Sequence, residues 1–150
     1  MYKERVSNLL NAIDRQNPVG SGIRNMCFDA VESGLRNFVE YVNCVYSMET
    51  RISIARFQSN DPAEFQEIVK NLDNNRRYAH EAAIASINMI DRICDKMGVE
   101  PVYGGSQDRS DIGDFCGKIV DEYFEGRSRG RVIVNEEITK VFEEEIEFER

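Results

Sequence analysis

Apolar side chains recur along this chain at steps of three and four residues, the spacing of one face of an α-helix. The first segment shows this spacing at Tyr2, Val6, Leu9, Leu10 and Ile13. Proline cannot continue a helix, so Asn17-Pro18 predicts its end. A short amphipathic helix is therefore expected at the start of the chain.

A longer stripe follows, in which steps of four alternate with steps of three, apart from one turn missed at Glu49. Its members are Phe28, Val31, Leu35, Phe38, Val42, Val45 and Ile52. The same alternation resumes at Phe65, Val69, Leu72, Arg76, Ala79, Ala83, Ser86, Ile90, Ile93 and Met97. Asp61 and Pro62 suit the start of this second stripe, and Gly98 suits its end. Heptad spacing of this kind predicts two long bundle helices.

Only a few residues separate the two long helices, so they are expected to fold back on each other as an antiparallel hairpin. Residues whose numbers sum to about 119 should then lie level. This register predicts that Cys27 lies near Cys94, and that Glu40 and Asn43 lie beside Arg76, Ala79 and His80.

Two more helices are predicted after the hairpin. A loop from Val99 to Arg109 leads into a wide apolar face at Ile112, Phe115, Cys116, Ile119, Val120, Tyr123 and Phe124. Asn135 is a plausible cap for the last helix, which presents Ile138, Val141, Phe142 and Ile146. The fold class expected is all-α: one domain over residues 1–150, an antiparallel bundle of four to five helices around a long central hairpin.

Composition narrows the class of protein. Hydrophobic residues make up 41% and charged residues 31% of 150 positions, and no apolar run approaches the roughly 20 residues of a membrane span. The first residues lack the pattern of a secretory signal, so a cytoplasmic protein is expected. The four cysteines lack metal-ligand spacing, which predicts buried thiols, with no metal and no cofactor.

Acidic residues are in excess, with a formal net charge of −8. Residues 135–150 hold seven glutamates against Lys140 and Arg150. Such a protein repels nucleic-acid phosphate at long range, so nucleic acid is not an expected partner.

Arg76, Arg77 and His80 form the first candidate site. Arg76 interrupts an apolar stripe, where an unpaired charge is costly, so Glu40 or Glu49 of the facing helix is its expected partner. An arginine closely followed by a histidine in a helical bundle resembles the HEPN family of RNases and nucleic-acid-linked toxins. That family separates the two by four to six residues, whereas three residues separate Arg76 from His80 here. The resemblance implies RNA cleavage by Arg76 or Arg77 with His80, whereas the alternative is a structural polar layer.

Arg127, Arg129 and Arg131 form the second candidate site, on a turn with two glycines. Three guanidinium groups can bind phosphate or an acidic partner. Pairing with the glutamates of the adjoining helix is the favoured interpretation.

Glu64-Phe65-Gln66-Glu67 and Asn88-Met89-Ile90-Asp91 are similar to the two acidic pairs with which MazG-type nucleotide pyrophosphohydrolases hold magnesium. Here both pairs lie on one predicted helix about 36 Å apart, a distance that no single metal site spans. We therefore interpret them as surface charges.

Several segments resemble small helical proteins of unknown function from bacterial and prophage genomes. They are Arg77 with His80, Asp91-Arg92-Ile93-Cys94, Gly98-Val99-Glu100-Pro101 and Asp121-Glu122-Tyr123-Phe124. The resemblance supplies no catalytic motif. We expect a non-enzymatic protein-binding or assembly module, with a homo-oligomer or another protein as partner. The alternative is a HEPN-like RNase.

Overall fold

The protein is an all-α bundle of five helices in a computed structural model that describes residues 2–17, 22–104, 112–124 and 132–149, with side chains up to residue 143. The helices are α1 (Tyr2–Gln16), α2 (Ile23–Gln58), α3 (Pro62–Met97), α4 (Ile112–Phe124) and α5 (Asn135–Glu149). The predicted fold class, number of helices and central hairpin are confirmed. None of the helices in the described ranges is both long and apolar enough to cross a membrane.

The hairpin consists of α2 and α3, each 36 residues long and therefore about 54 Å in length. At the turn between them, the Asp61 side chain accepts a hydrogen bond from the Glu64 amide at 2.8 Å. Glu64 in turn accepts one from the Asn60 amide at 3.1 Å, which completes a reciprocal cap. Gly98 ends α3 in the left-handed conformation, with φ of 70°.

The register of the hairpin agrees with the predicted one to within a helical turn, because the observed pairs have numbers that sum to 121 and 123. The rings of Tyr41 and His80 are 5.5 Å apart and meet edge to face. Asn37 Nδ2 donates to Ser86 Oγ at 2.8 Å. Burial raises the pKa of the Cys27 thiol to about 11, and the neighbouring Cys94 contributes to the shift, as expected if the two cysteines are close.

One face of α1 is buried as predicted, through Tyr2, Val6, Leu9, Leu10 and Ile13. Glu122 on α4 caps the first turn of α1. Its carboxylate accepts hydrogen bonds from the amides of Tyr2 at 2.9 Å and Lys3 at 3.1 Å. These bonds satisfy amides that have no partner within the helix. Contacts with α2, α3 and α4 place α1 against the central hairpin.

The loop after α3 contributes to the core, although the sequence predicts only a connector there. Val102 and Tyr103 are buried, and the Tyr103 amide donates to the buried carboxylate of Asp91 at 2.9 Å. The sequence prediction did not include this burial. A loop can bury apolar side chains where a carboxylate accepts the hydrogen bond of its backbone amide.

A buried amide ties the last helix to the hairpin. Asn43 Nδ2 donates to the Ile133 carbonyl at 2.9 Å, and the Ile133 amide donates to Asn43 Oδ1 at 3.0 Å. In the segment before α5, both polar backbone groups of Ile133 are therefore satisfied by one side chain. Phe142 of α5 then packs against Phe28, with ring centroids 5.7 Å apart.

Candidate functional site

Residues 48–78 of α2 and α3 form a two-helix projection, here called the arm. Ala55 is the single buried residue between residues 48 and 78. The remaining described residues, here called the body, include α1, α4, α5 and the adjoining parts of the hairpin. The same two helices are therefore buried at one end and exposed at the other.

The arm lies beyond the contacts of the shorter helices. Those helices meet α2 at Arg36, whose guanidinium donates to Thr139 of α5 at 3.2 Å, and at Asn43, which binds Ile133. In the arm itself the stripe residues are half-buried: Met48, Ile52, Phe65, Ile68, Val69 and Leu72. Two helices shield these side chains only in part, because α1, α4 and α5, as far as the structure describes them, add no third layer of buried contacts here.

The prediction that Val45 is a core residue was wrong. The side chain is 48% exposed and lines a cleft of about 410 Å³ between α2 and α4, at the base of the arm. The cleft is lined by Tyr41, Val42, Val45, Tyr46, Gly113, Asp114 and Gly117. Gly113 lies beside the Tyr41 ring in this cleft, where a Cβ would make an ordinary van der Waals contact at 3.8 Å.

Large apolar side chains are exposed on the arm. Phe57 is 92% exposed, Tyr78 74% and Ile54 50%. Tyr46, at the base of the arm, is 45% exposed. Isolated exposed apolar residues are common, but a phenylalanine with nearly its whole surface in water on the same helix as exposed Ile54 is unusual and makes the arm a candidate contact surface.

The arm carries no net charge. Its acidic residues are Glu49, Asp61, Glu64, Glu67 and Asp73, and its basic residues are Arg51, Arg56, Lys70, Arg76 and Arg77. The whole formal charge of −8 therefore belongs to the remainder of the chain. An uncharged surface on an acidic molecule is the region where two copies repel each other least.

The Arg76 partner predicted from the sequence was wrong. Its guanidinium bonds Asp73 at 3.0 Å, one turn earlier on the same helix, instead of Glu40 or Glu49, and it lies near enough to Tyr41 to lower the pKa of that hydroxyl against the effect of burial. The hydrogen bond to Asp73 raises the pKa of Arg76. Residues three apart on a helix are neighbours, so this pair needs no rearrangement of the facing helix.

Arg77 and His80 point to different surroundings. Arg77 bonds the other oxygen of Asp73 at 3.1 Å and its side chain is 70% exposed. His80 is half-buried against the Tyr41 ring. Arg76 and His80 thus meet at one tyrosine, whereas Arg77 lies towards solvent. The second candidate site, Arg127, Arg129 and Arg131, lies outside the described residues.

A family model for proteins of unknown function, DUF3232, matches residues 24–129. The chain belongs to the DUF3232 family. No curated protein and no solved structure matches it. The matched part of this DUF3232 protein includes the whole arm, the cleft and α4, whereas α1 and α5 lie outside it. Membership of a family of unknown function is the resemblance that the sequence predicted.

The sequence analysis missed the exposed aromatic residues of α2, among them Phe57, which is the most exposed large apolar residue of the described chain. Phe57 and Tyr46 lie off the heptad stripe, and a search for core positions passes over them. The available signal was the place of Phe57 about 140° around α2 from the stripe residue Ile52, where polar residues are the rule.

Proposed function

We propose that this DUF3232 protein is a non-enzymatic assembly module, and that its arm packs against the arm of a second copy. The exposure of Phe57, in an arm without net charge, carries the proposal. We also place the protein in the cytoplasm, because its four cysteines are buried free thiols, as is usual in reducing compartments.

The apolar surface of the arm favours self-association. Full burial of a phenylalanine side chain contributes roughly 2–3 kcal/mol, and a symmetric pair of copies buries each exposed residue twice. Loss of translational and rotational freedom opposes this gain. A dimer with a dissociation constant on the order of micromolar is therefore expected.

Charge makes the proposed dimer sensitive to salt. The two acidic bodies repel each other, and salt screens charges separated by more than about 10 Å at 0.1 M. Added salt should therefore strengthen the dimer. An interface in which ion pairs outweighed this repulsion would weaken instead.

Nothing in the geometry favours the HEPN-like alternative. Asp73 bonds both arginines, and His80 packs against Tyr41. We assign Arg76, Tyr41 and His80 to a polar layer between α2 and α3, at the border between the body and the arm. In this role they position the arm, and no substrate is required.

Sedimentation equilibrium over a concentration series tests the assembly proposal. The wild type should dimerise, and Phe57→Glu should raise the dissociation constant at least about tenfold, because the new charge would have to be desolvated. Gln66→Glu is the matched control, since it adds the same charge at an exposed position of α3. A wild type that stays monomeric at several hundred micromolar, or a Phe57→Glu variant that dimerises normally, would overturn the proposal.

A further inference from the structure

The outer face of α2 carries no charge along the arm and at its base. Tyr46, Thr50, Ser53 and Phe57 follow one another at steps of four, three and four, and all four are exposed. At 100° per residue they lie within a sector of about 60°. In the body the corresponding side of α2 is not an outer face, because Leu35, Val39 and Val42 on that side are buried.

This outer stripe is suited to contact with another helix. Two small hydroxyl residues stand between two aromatic ones, so a second helix can approach closely at the centre while the rings contact it at the ends. The outer face of α3 differs, because it presents Gln66, Lys70 and Asn71 to solvent. The α2 stripe is therefore the part of the arm best suited to be buried.

We propose that two copies pair their α2 stripes antiparallel about a twofold axis, with Thr50 of each copy level with Ser53 of the other. This inference rests on the proposed self-assembly and specifies its geometry. Tyr46 of one copy then lies level with Phe57 of the other. A twofold contact uses the same surface on both copies, so each of these contacts occurs twice.

Charges beside the stripe agree with this register. Glu49 and Arg56 lie on the same flank of α2, about 60° and 80° from Tyr46. In an antiparallel pair related by a twofold axis, equal flanks face each other. Measured along the helix axis, Glu49 of each copy then lies about two residues from the level of Arg56 in the other copy. The long side chains of Glu49 and Arg56 span this offset. Two complementary ion pairs result.

Charge reversal tests the register. Glu49→Arg places two arginines together at both contacts, and Arg56→Glu places two glutamates together. Each variant alone should show a dissociation constant at least about tenfold higher than the wild type. An equimolar mixture should form a heterodimer, because each arginine of one variant then meets a glutamate of the other. Native mass spectrometry with one variant tagged identifies this species by its mass.

The possible results separate the two proposals. If both single variants dimerise as the wild type does, or if the mixture stays monomeric, the register is wrong. Self-assembly through the arm still stands in that case if Phe57→Glu abolishes the dimer. Circular dichroism and urea unfolding of each variant must match the wild type, since Arg56 also lies over the Phe65 ring at 5.3 Å.

Disulfide trapping supplies a second measurement that does not depend on charge. Mixed T50C and S53C variants should cross-link to each other faster than either variant cross-links to itself, because the two positions are level. The native cysteines are buried and do not compete. Equal rates in all three samples would overturn the register.

Discussion

The body and the arm are made of the same two helices with the same heptad spacing, yet their side chains have different surroundings. In the body, Phe38 and Ala83 are fully buried, whereas Ile52 and Leu72 in the arm are only half-buried. The pattern determines which residues of α2 and α3 face each other. A third layer of helices determines whether water is excluded from them.

Polar contacts also distinguish the two regions. The body contains buried hydrogen bonds at Asn43 and Asp91 and a part-buried one at Ser86, and each depends on one arrangement of the chain around the hairpin. Within the described residues no buried side-chain polar atom is left without a partner. The arm instead has exposed ion pairs such as Arg77 with Asp73, which contribute little to stability.

Truncation of matched apolar residues should show the largest difference between the two regions. Phe38→Ala should lower the free energy of unfolding by about 3–5 kcal/mol, because it leaves a cavity among fully buried neighbours. Leu72→Ala in the arm should cost only about 1–2 kcal/mol, since its side chain is already half in water. Urea unfolding measures both values. Equal losses would show that the arm is as closely packed as the body.

Removal of the buried amide should have the next largest effect. Asn43→Ala leaves the amide and carbonyl of Ile133 without partners, which should cost about 2–3 kcal/mol. Asn75→Ala, at an exposed position of the arm, is the control and should stay within about 0.5 kcal/mol of the wild type. A small loss for Asn43→Ala would mean that the amide does not fix α5 to the hairpin.

The smallest effect is expected at Glu122, and it should depend on pH. Burial alone raises the pKa of this carboxyl, but the hydrogen bonds that it accepts outweigh burial and lower the pKa below its usual value. A lowered pKa in the folded state stabilises the protein above the unfolded pKa of about 4.3. That contribution disappears as the pH falls through the folded pKa.

Glu122→Gln should therefore cost about 0.5–1 kcal/mol at pH 7, a small value because the carboxylate is partly exposed. The difference from the wild type should vanish below about pH 3. Hydrogen exchange should show the loss at the first turn of α1 and leave the arm unchanged. A difference that persists at low pH would assign the effect to packing.

The architecture was predictable because helices follow from local spacing. Asp61, Pro62 and Gly98 mark the bounds of α3, and the apolar stripes place α2 against α3 in the observed register. The burial of Val102 and Tyr103 was not predictable, because no periodic pattern shows that a loop turns inwards. The sequence wrongly predicted that Val45 is buried. Its exposure depends on where α4 begins, which is a property of tertiary packing.

The candidate site was less accessible to sequence reasoning than the fold. Arg76 and His80 are conspicuous in the sequence because of their chemistry. The heptad stripe does not show that Arg76 bonds Asp73 or that His80 packs against Tyr41. The exposure of Phe57 requires knowledge of where the bundle stops. A sequence predicts pairwise helix contacts better than it predicts the edge of a third layer.

The two long helices run from the body into the arm without a break. Such a projection acts as a lever, since no flexible linker at its root absorbs a force applied near Phe57. A force on the end of the arm therefore also acts on the contact between Asn37 and Ser86, where α2 and α3 pack together in the body. Whatever holds the tip also sets the orientation of the bundle behind it.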